Sequence, residues 1–214
     1  RELYMNRIRP FIGGELIKVM TGIRRSGKSV MLELIKEELA EAGVAPSQMI
    51  SINFEDMRYS HLQTATALHD EIIKRAEGIE GKAYLFFDEI QEVEGWEKCV
   101  NSLRVALDCD IYITGSNAKL LSGELATYIG GRYVEFVIYP FSFAEFLELY
   151  HTIAPSDSIQ QCFQKYLLAG GMPYLANLRY EEEPSRQYLT DLFNSVQLKD
   201  IVKRNKIRDI DLRI

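Results

Sequence analysis

Eight residues near the amino terminus, Gly22-Ile23-Arg24-Arg25-Ser26-Gly27-Lys28-Ser29, set two glycines five positions apart and follow the second with a lysine and a hydroxyl. The glycines let the backbone curl until successive N–H groups face one anion. A helix opening near Lys28 adds the positive end of its dipole, Lys28 reaches the β- and γ-phosphates, and the Ser29 hydroxyl is placed to ligate Mg2+. With Gly22, Arg25, Ser26, Gly27, Lys28, Ser29 and Val30 as its binding residues, the stretch reads as a cradle for a nucleoside triphosphate. A glycine-rich turn that only caps a helix would account for the glycines and Ser29, but gives no reason for Lys28.

A site of this kind needs a carboxylate to hold the metal and a second group to activate or orient the attacking water. Tyr84, Leu85, Phe86 and Phe87 form an apolar run that ends in Asp88 and Glu89. Both acids emerge at the carboxyl end of a strand, the edge on which α/β sheets bind ligands. Asp88 is the expected metal ligand and Glu89 the expected base. An isolated Asp-Glu pair after a strand is ordinarily a solvated turn, and the upstream phosphate loop reverses that preference. A further run, YITGSNA, ends in Ser116 and Asn117. If its strand is parallel to the others, these two reach the γ-phosphate or the water; otherwise they build a plain Gly-Ser-Asn turn. The strand end NFED, closing at Asp56, lies on the same edge and reads as a plain terminus.

Positioning these groups requires a sheet. Leu16 to Met20, Met49 to Phe54, Ala83 to Phe87, Ile111 to Thr114 and Tyr133 to Tyr139 are short, mostly continuous apolar runs, as expected for parallel strands buried on both faces. Between the first two, Met31, Leu34, Ile35 and Leu39 fall on one helical face, and Gly43 is a natural stop. Helical patterns at Leu68 to Ala76 and Trp96 to Leu107 lead into the third and fourth strands. The alternation predicts an α/β layer fold with right-handed crossovers. After Pro140 the period turns helical throughout, which predicts a small helical region or lid.

The 214 residues are 47% hydrophobic and 26% charged, enough for one sizeable core, and the net charge of -6 provides no overall positive field to gather nucleic acid or an anionic membrane. Cys99, Cys109 and Cys162 are odd in number and lack metal-ligand spacing, so they read as reduced thiols in a cytoplasmic protein. No apolar run is long enough to span a membrane. A start without Met and an end inside a charged segment suggest an excised fragment.

The phosphate loop, FFDEIQ, TGSNA and LATYIGGRYVEFVIYPFSFAEFL, in this order, resemble a prokaryotic ATPase of the AAA+ superfamily, specifically the AAA_14 type commonly followed by a DUF4143 domain. The resemblance covers nearly the whole chain. It implies a P-loop NTPase three-layer α/β/α sandwich with a mainly parallel five-stranded sheet of order 5-1-4-3-2, followed by a small helical region. The implied domains are an ATPase core at 1–140, a helical region at 141–198, and the start of a linker to an absent carboxy-terminal domain at 199–214. It implies ATP and Mg2+ as ligands, Ser29 and Asp88 as metal ligands, and Lys28, Glu89, Ser116 and Arg132 as catalytic residues. Ser116 matches the sensor position; Arg132 is a candidate finger for its own or a neighbour's γ-phosphate, or else an ordinary strand-edge arginine. A homo-oligomer and an unknown protein partner are compatible with this, whereas nucleic acid would bind only through the absent domain. The basic residues Lys199, Lys203, Arg204, Lys206, Arg208 and Arg213 are interrupted by acids and read as a solvated face.

Three activities share such a cradle: ATP hydrolysis coupled to conformational change, a nucleotide-regulated binding module with little turnover, and a small-molecule kinase. Glu89 directly after Asp88 suits activation of water, which favours the first. A GTPase is weaker still, because NAKL at Asn117 to Leu120 lacks the aspartate of a guanine-reading N-K-x-D stretch.

Overall fold

In a computed structural model of the chain, which describes residues 1–115 and 129–196, packing divides the chain into two units. The first comprises Arg1–Ile23 and Gly27–Tyr139; the second comprises Arg24–Ser26 and the chain from Pro140 onward.

In the first unit, β1 (Ile17–Thr21), β2 (Met49–Asn53), β3 (Ala83–Asp88), β4 (Cys109–Thr114) and β5 (Tyr133–Val137) form a sheet of order β2-β3-β4-β1-β5 with every pairing parallel. Viewed from the opposite edge, this is the 5-1-4-3-2 order implied by the resemblance. The inner strand β1 is buried along its whole length, while the edge strand β2 alternates between buried and more exposed residues. Two-sided burial explains why the inner strands are mostly apolar runs.

Alternation along each strand divides the core into two layers. Ile17, Val19, Leu85, Phe87, Ile111 and Ile113 pack with Leu68 and Ile72 of α3 (Ala65–Ala76) and with Val100 and Leu103 of α4 (Trp96–Ala106). Met20, Phe86, Tyr112 and Phe136 face the other way, against α1 (Glu2–Ile8) and α2 (Lys28–Glu41). Phe86 and Tyr112 stack with centroids 4.8 Å apart. In α2 the buried residues are Lys28, Met31, Leu32, Ile35 and Leu39, while Leu34 is only half-buried. At about 100° per residue, Leu32 lies about 60° from the centre of the Met31, Ile35 and Leu39 stripe and Leu34 about 100° away. Leu32 therefore takes the core place that the sequence pattern gave to Leu34, and Lys28 falls inside the same buried arc.

Burial pushes the Cys99 thiol up to about 12 and that of Cys109 up to about 11, so both stay protonated and pack as small apolar groups. A buried ion pair ties β1 to β4. Lys18 and Asp110 are fully buried, and their charged ends meet. Lys18 Nζ also donates to the Gly14 carbonyl (3.1 Å), while Asp110 Oδ2 accepts from Gly13 N–H (2.7 Å) and from the Tyr112 hydroxyl (2.7 Å). Burial pushes the Lys18 ammonium down, with Asp110 pulling it back up. Removing one member strands the other charge in the core, so Asp110→Ala is expected to cost about 3–5 kcal/mol of unfolding free energy, read as a lower urea midpoint. Replacing both together, as Lys18→Met with Asp110→Leu, should recover only part of that loss, because Gly13 N–H and the Tyr112 hydroxyl still lack their acceptor.

The second unit contains α5 (Phe143–Ile153), α6 (Ile159–Ala169), a short 3-10 turn (Pro173–Ala176) and α7 (Glu182–Val196). Capping boxes open two helices, Ser142 with Glu145 and Ser158 with Gln161. Phe146, Tyr150, Cys162, Met172, Leu175 and Tyr180 form its core. Among the described residues, no helix is long and apolar enough to cross a membrane.

Candidate functional site

The carboxyl ends of four parallel strands converge on one edge of the sheet. β1 ends at Thr21, and the chain then turns through Gly22 (φ 143°), Arg25 (φ 62°) and Gly27 (φ 100°) before α2 begins at Lys28. Gly27 is the N-cap residue in a left-handed conformation that L side chains rarely adopt, which explains a glycine there. The turn aims the amino terminus of a 14-residue helix along the sheet edge. Ser26 is buried, Ser29 and Val30 are exposed on the first turn of α2, and Lys28 is only 4% exposed. Lys28 Nζ donates to the carbonyls of Gly22 (3.3 Å) and Ile23 (3.2 Å), so the loop's own carbonyls hold the ammonium.

The acidic pair stands beside it. Glu89 Oε1 lies 3.8 Å from Lys28 Nζ, and Glu89 Oε2 accepts from Gln91 Nε2. Because a carboxylate can only accept, the Gln91 amide must present its nitrogen; its Oε1 is buried without a hydrogen-bond partner among the described residues. Asp88, 7% exposed, is bound by the Thr114 hydroxyl at Oδ1 and by Asn53 Nδ2 at Oδ2 (3.1 Å). The β2–β3 register sets Asn53 opposite Asp88, and the β3–β4 register brings Thr114 level with it. Glu89 itself is left-handed (φ 56°, ψ 44°), and its N–H donates to Thr114 Oγ1 at 3.0 Å.

Residues 15–147 match the AAA_14 family, described as an AAA domain. The chain belongs to that family. The chain is 40% identical over 210 residues to an uncharacterized protein of Haemophilus influenzae, covering 98% of this chain and 52% of that protein. It is 34% identical over 203 residues to an uncharacterized protein of Methanocaldococcus jannaschii, covering 91% and 44%. The chain thus spans about half the length of the curated relatives it matches. Two solved structures are similar in fold: AMPPCP-bound DnaA from Aquifex aeolicus (TM-score 0.54, 14% identity, 96% of this chain and 64% of that one), and a RuvB mutant from Thermotoga maritima (TM-score 0.55, 14% identity, 94% and 68%). Both are AAA+ P-loop folds, the architecture this AAA domain shares.

The residues at this edge suit a small divalent cation. Asp88 is a nearly buried carboxylate whose hydrogen-bond partners among the described residues, Thr114 and Asn53, are both neutral. A buried negative charge met only by neutral donors is electrostatically incomplete, and carboxylate and hydroxyl oxygens match the hard-ligand preference of Mg2+. Mg2+ typically takes one or two protein oxygens and fills its shell with phosphate and water. Asp88 and Ser29 offer such a set.

The structure gathers Gly22, Gly27, Lys28, Asp88 and Glu89 at this edge. It does not bring Arg132 there. Arg132 immediately precedes β5, and the register of Ile17 with Tyr133 puts it at the amino-terminal edge of the parallel sheet, opposite the phosphate loop. Its guanidinium donates to Asn101 Oδ1 at 2.8 Å. Ser116 and Asn117 lie outside the described residues, as do residues 199–214. Thr114, Asn53 and Gln91 complete the acidic cluster; they lie inside the stretches TGSNA, NFED and FFDEIQ, which give them no role of their own, and each stands at or beside a strand end on the ligand edge.

Proposed function

We propose that this AAA domain binds ATP with Mg2+, hydrolyses it to ADP and phosphate, and uses the energy for conformational change. The observation that carries this reading is the approach of Lys28 Nζ to Glu89 Oε1, 3.8 Å, with Asp88 adjacent in sequence. A γ-phosphate held by Lys28 would lie within reach of the carboxylate that must act on water.

The N–H groups of the loop and the Lys28 ammonium would bind the β- and γ-phosphates. Ser29 and Asp88 would hold the cation. The bound cation supplies charge neutralisation across the phosphate oxygens. Glu89 accepts a proton from water as the water oxygen bonds to the γ-phosphorus. The bond from that phosphorus to the β–γ bridging oxygen then breaks, and its electron pair leaves with ADP. Gln91 holds one oxygen of Glu89, leaving the other directed at the Lys28 side of the site.

Arg132, on the far edge of its own sheet, suits a role in trans at a neighbouring subunit's γ-phosphate, which would make turnover depend on assembly. Ser116 is proposed as the group that senses the γ-phosphate. Three free cysteines suit a reducing cytoplasm. Adenine is preferred to guanine on the family resemblance and the missing N-K-x-D stretch.

Phosphate release from ATP and from GTP, each with Mg2+ and again with excess EDTA, tests the proposal on the full chain. ATP should turn over faster than GTP, and chelation should remove the activity. Tight ATP binding without phosphate release in any of these mixtures would replace it with the nucleotide-regulated binding module.

A further inference from the structure

Thr114 is the last residue of β4 and is completely buried. Its hydroxyl has one proton to donate, and both of its neighbours fix where that proton goes. Asp88 Oδ1, a carboxylate oxygen, can only accept, so Thr114 donates to it. The Glu89 N–H can only donate, so Thr114 accepts from it, at 3.0 Å. A single hydroxyl therefore spans the candidate metal ligand and the backbone of the candidate base.

The backbone it holds is unusual. Glu89 sits at φ 56° and ψ 44°, a left-handed conformation that non-glycine residues adopt at a cost and keep only when their surroundings enforce it. This kink ends β3 and directs the Glu89 carboxylate to within 3.8 Å of Lys28 Nζ instead of letting it continue along the strand. Without the Thr114 oxygen, the Glu89 N–H loses its partner and Asp88 loses one of its two neutral donors.

We infer that Thr114 is a positioning residue that locks the Asp88 carboxylate and the left-handed turn at Glu89 into one rigid unit, setting metal affinity and base placement together. The inference rests on the proposed ATPase reading for its kinetic consequence, but not for its structural one.

The test compares Thr114→Val, which keeps the shape and removes both hydrogen bonds, with Thr114→Ser, which keeps the hydroxyl, in the full chain. Thr114→Val should lower kcat about 100-fold, the scale of a small misplacement of a reacting group, while KM for ATP stays within about threefold. The Mg2+ concentration that half-saturates ATP binding in calorimetry should rise about tenfold, and the Glu89 amide should exchange with deuterium faster. Thr114→Ser should stay within about threefold of wild type in every readout. Thr114→Cys, with a weak donor in a similar volume, should fall between the two, and it keeps the comparison available if the valine variant does not fold. A valine variant with wild-type kcat and Mg2+ dependence would overturn the inference, as would a serine variant as impaired as valine. Wild type that binds ATP without hydrolysing it would strike only the ATPase reading; the Mg2+ titration and the Glu89 amide would still decide the role of Thr114.

Discussion

Lys28→Ala is expected to weaken ATP binding at least 100-fold, about 3 kcal/mol, and to bring phosphate release below detection. The size of the effect follows from where the ammonium lies. It is 4% exposed, held by the Gly22 and Ile23 carbonyls and set beside Glu89, so its charge is poorly screened by water and already aimed into the loop. Removing it takes away a charge-assisted contact to phosphate and leaves Glu89 facing the incoming triphosphate without that cation, so attraction is lost and repulsion is gained. Alanine is a good helix former at the first position of α2, so the thermal midpoint should change little. Titration calorimetry with ATP, alongside a melting curve, separates loss of binding from loss of fold. Unchanged affinity in a folded variant would reduce the loop to a helix cap and remove the basis for a nucleotide site here.

The phosphate loop and the acidic pair are legible in the sequence because each is a local constellation: the loop residues lie between Gly22 and Val30, and Asp88 ends β3 with Glu89 directly after it. The strands are legible because two-sided burial makes each inner strand a mostly apolar run. Their order is not a property of any one run. It depends on which crossovers skip a neighbour, and it came from the family resemblance, which the parallel pairings agree with. The Lys18–Asp110 pair is hidden for a related reason, since its members are 92 residues apart and a lysine inside an apolar strand carries no mark of its partner. The short helix α1 gives too few residues for a helical period to stand out.

The acidic cluster shows the same division between local and distant information. FFDEIQ identifies Asp88 and Glu89, and the run YITGSNA draws attention to Ser116 and Asn117 at its polar end. The hydroxyl that reaches the acids is Thr114, two residues earlier and still inside the strand. Strand register decides this, and register between strands 25 residues apart cannot be read from either alone. Arg132 teaches the converse. Its place in GGRY is consistent with contact in cis or in trans, but the parallel direction of β5 fixes it on the edge away from Lys28.

Glu89→Gln should lower the rate of ATP hydrolysis by about 100- to 10,000-fold, the usual contribution of a positioned general base, while ATP affinity is kept or increased. The direction of the second effect comes from the ion pair. In the structure Glu89 Oε1 is 3.8 Å from Lys28 Nζ, so a bound γ-phosphate competes with that carboxylate for the ammonium. An amide of the same shape ends the competition and can still accept from Gln91 through its carbonyl oxygen. Glutamine bears the left-handed backbone at position 89 as glutamate does, so the Thr114 contact and the fold are retained. Single-turnover phosphate release, measured with saturating ATP and beside a calorimetric titration, reads the two effects separately. Lys28→Ala loses binding and rate together, whereas Glu89→Gln loses rate alone, and that contrast distinguishes a base from a phosphate ligand. A glutamine variant with wild-type turnover would leave Asp88 as the neighbouring acid to consider. Both of its oxygens are already committed to Thr114 and Asn53, and its proposed charge partner is a cation, so it is poorly placed to take a proton from water. That outcome would therefore argue against water activation at this sheet edge, and the contact between Lys28 and Glu89 would then serve to neutralise the loop before nucleotide arrives.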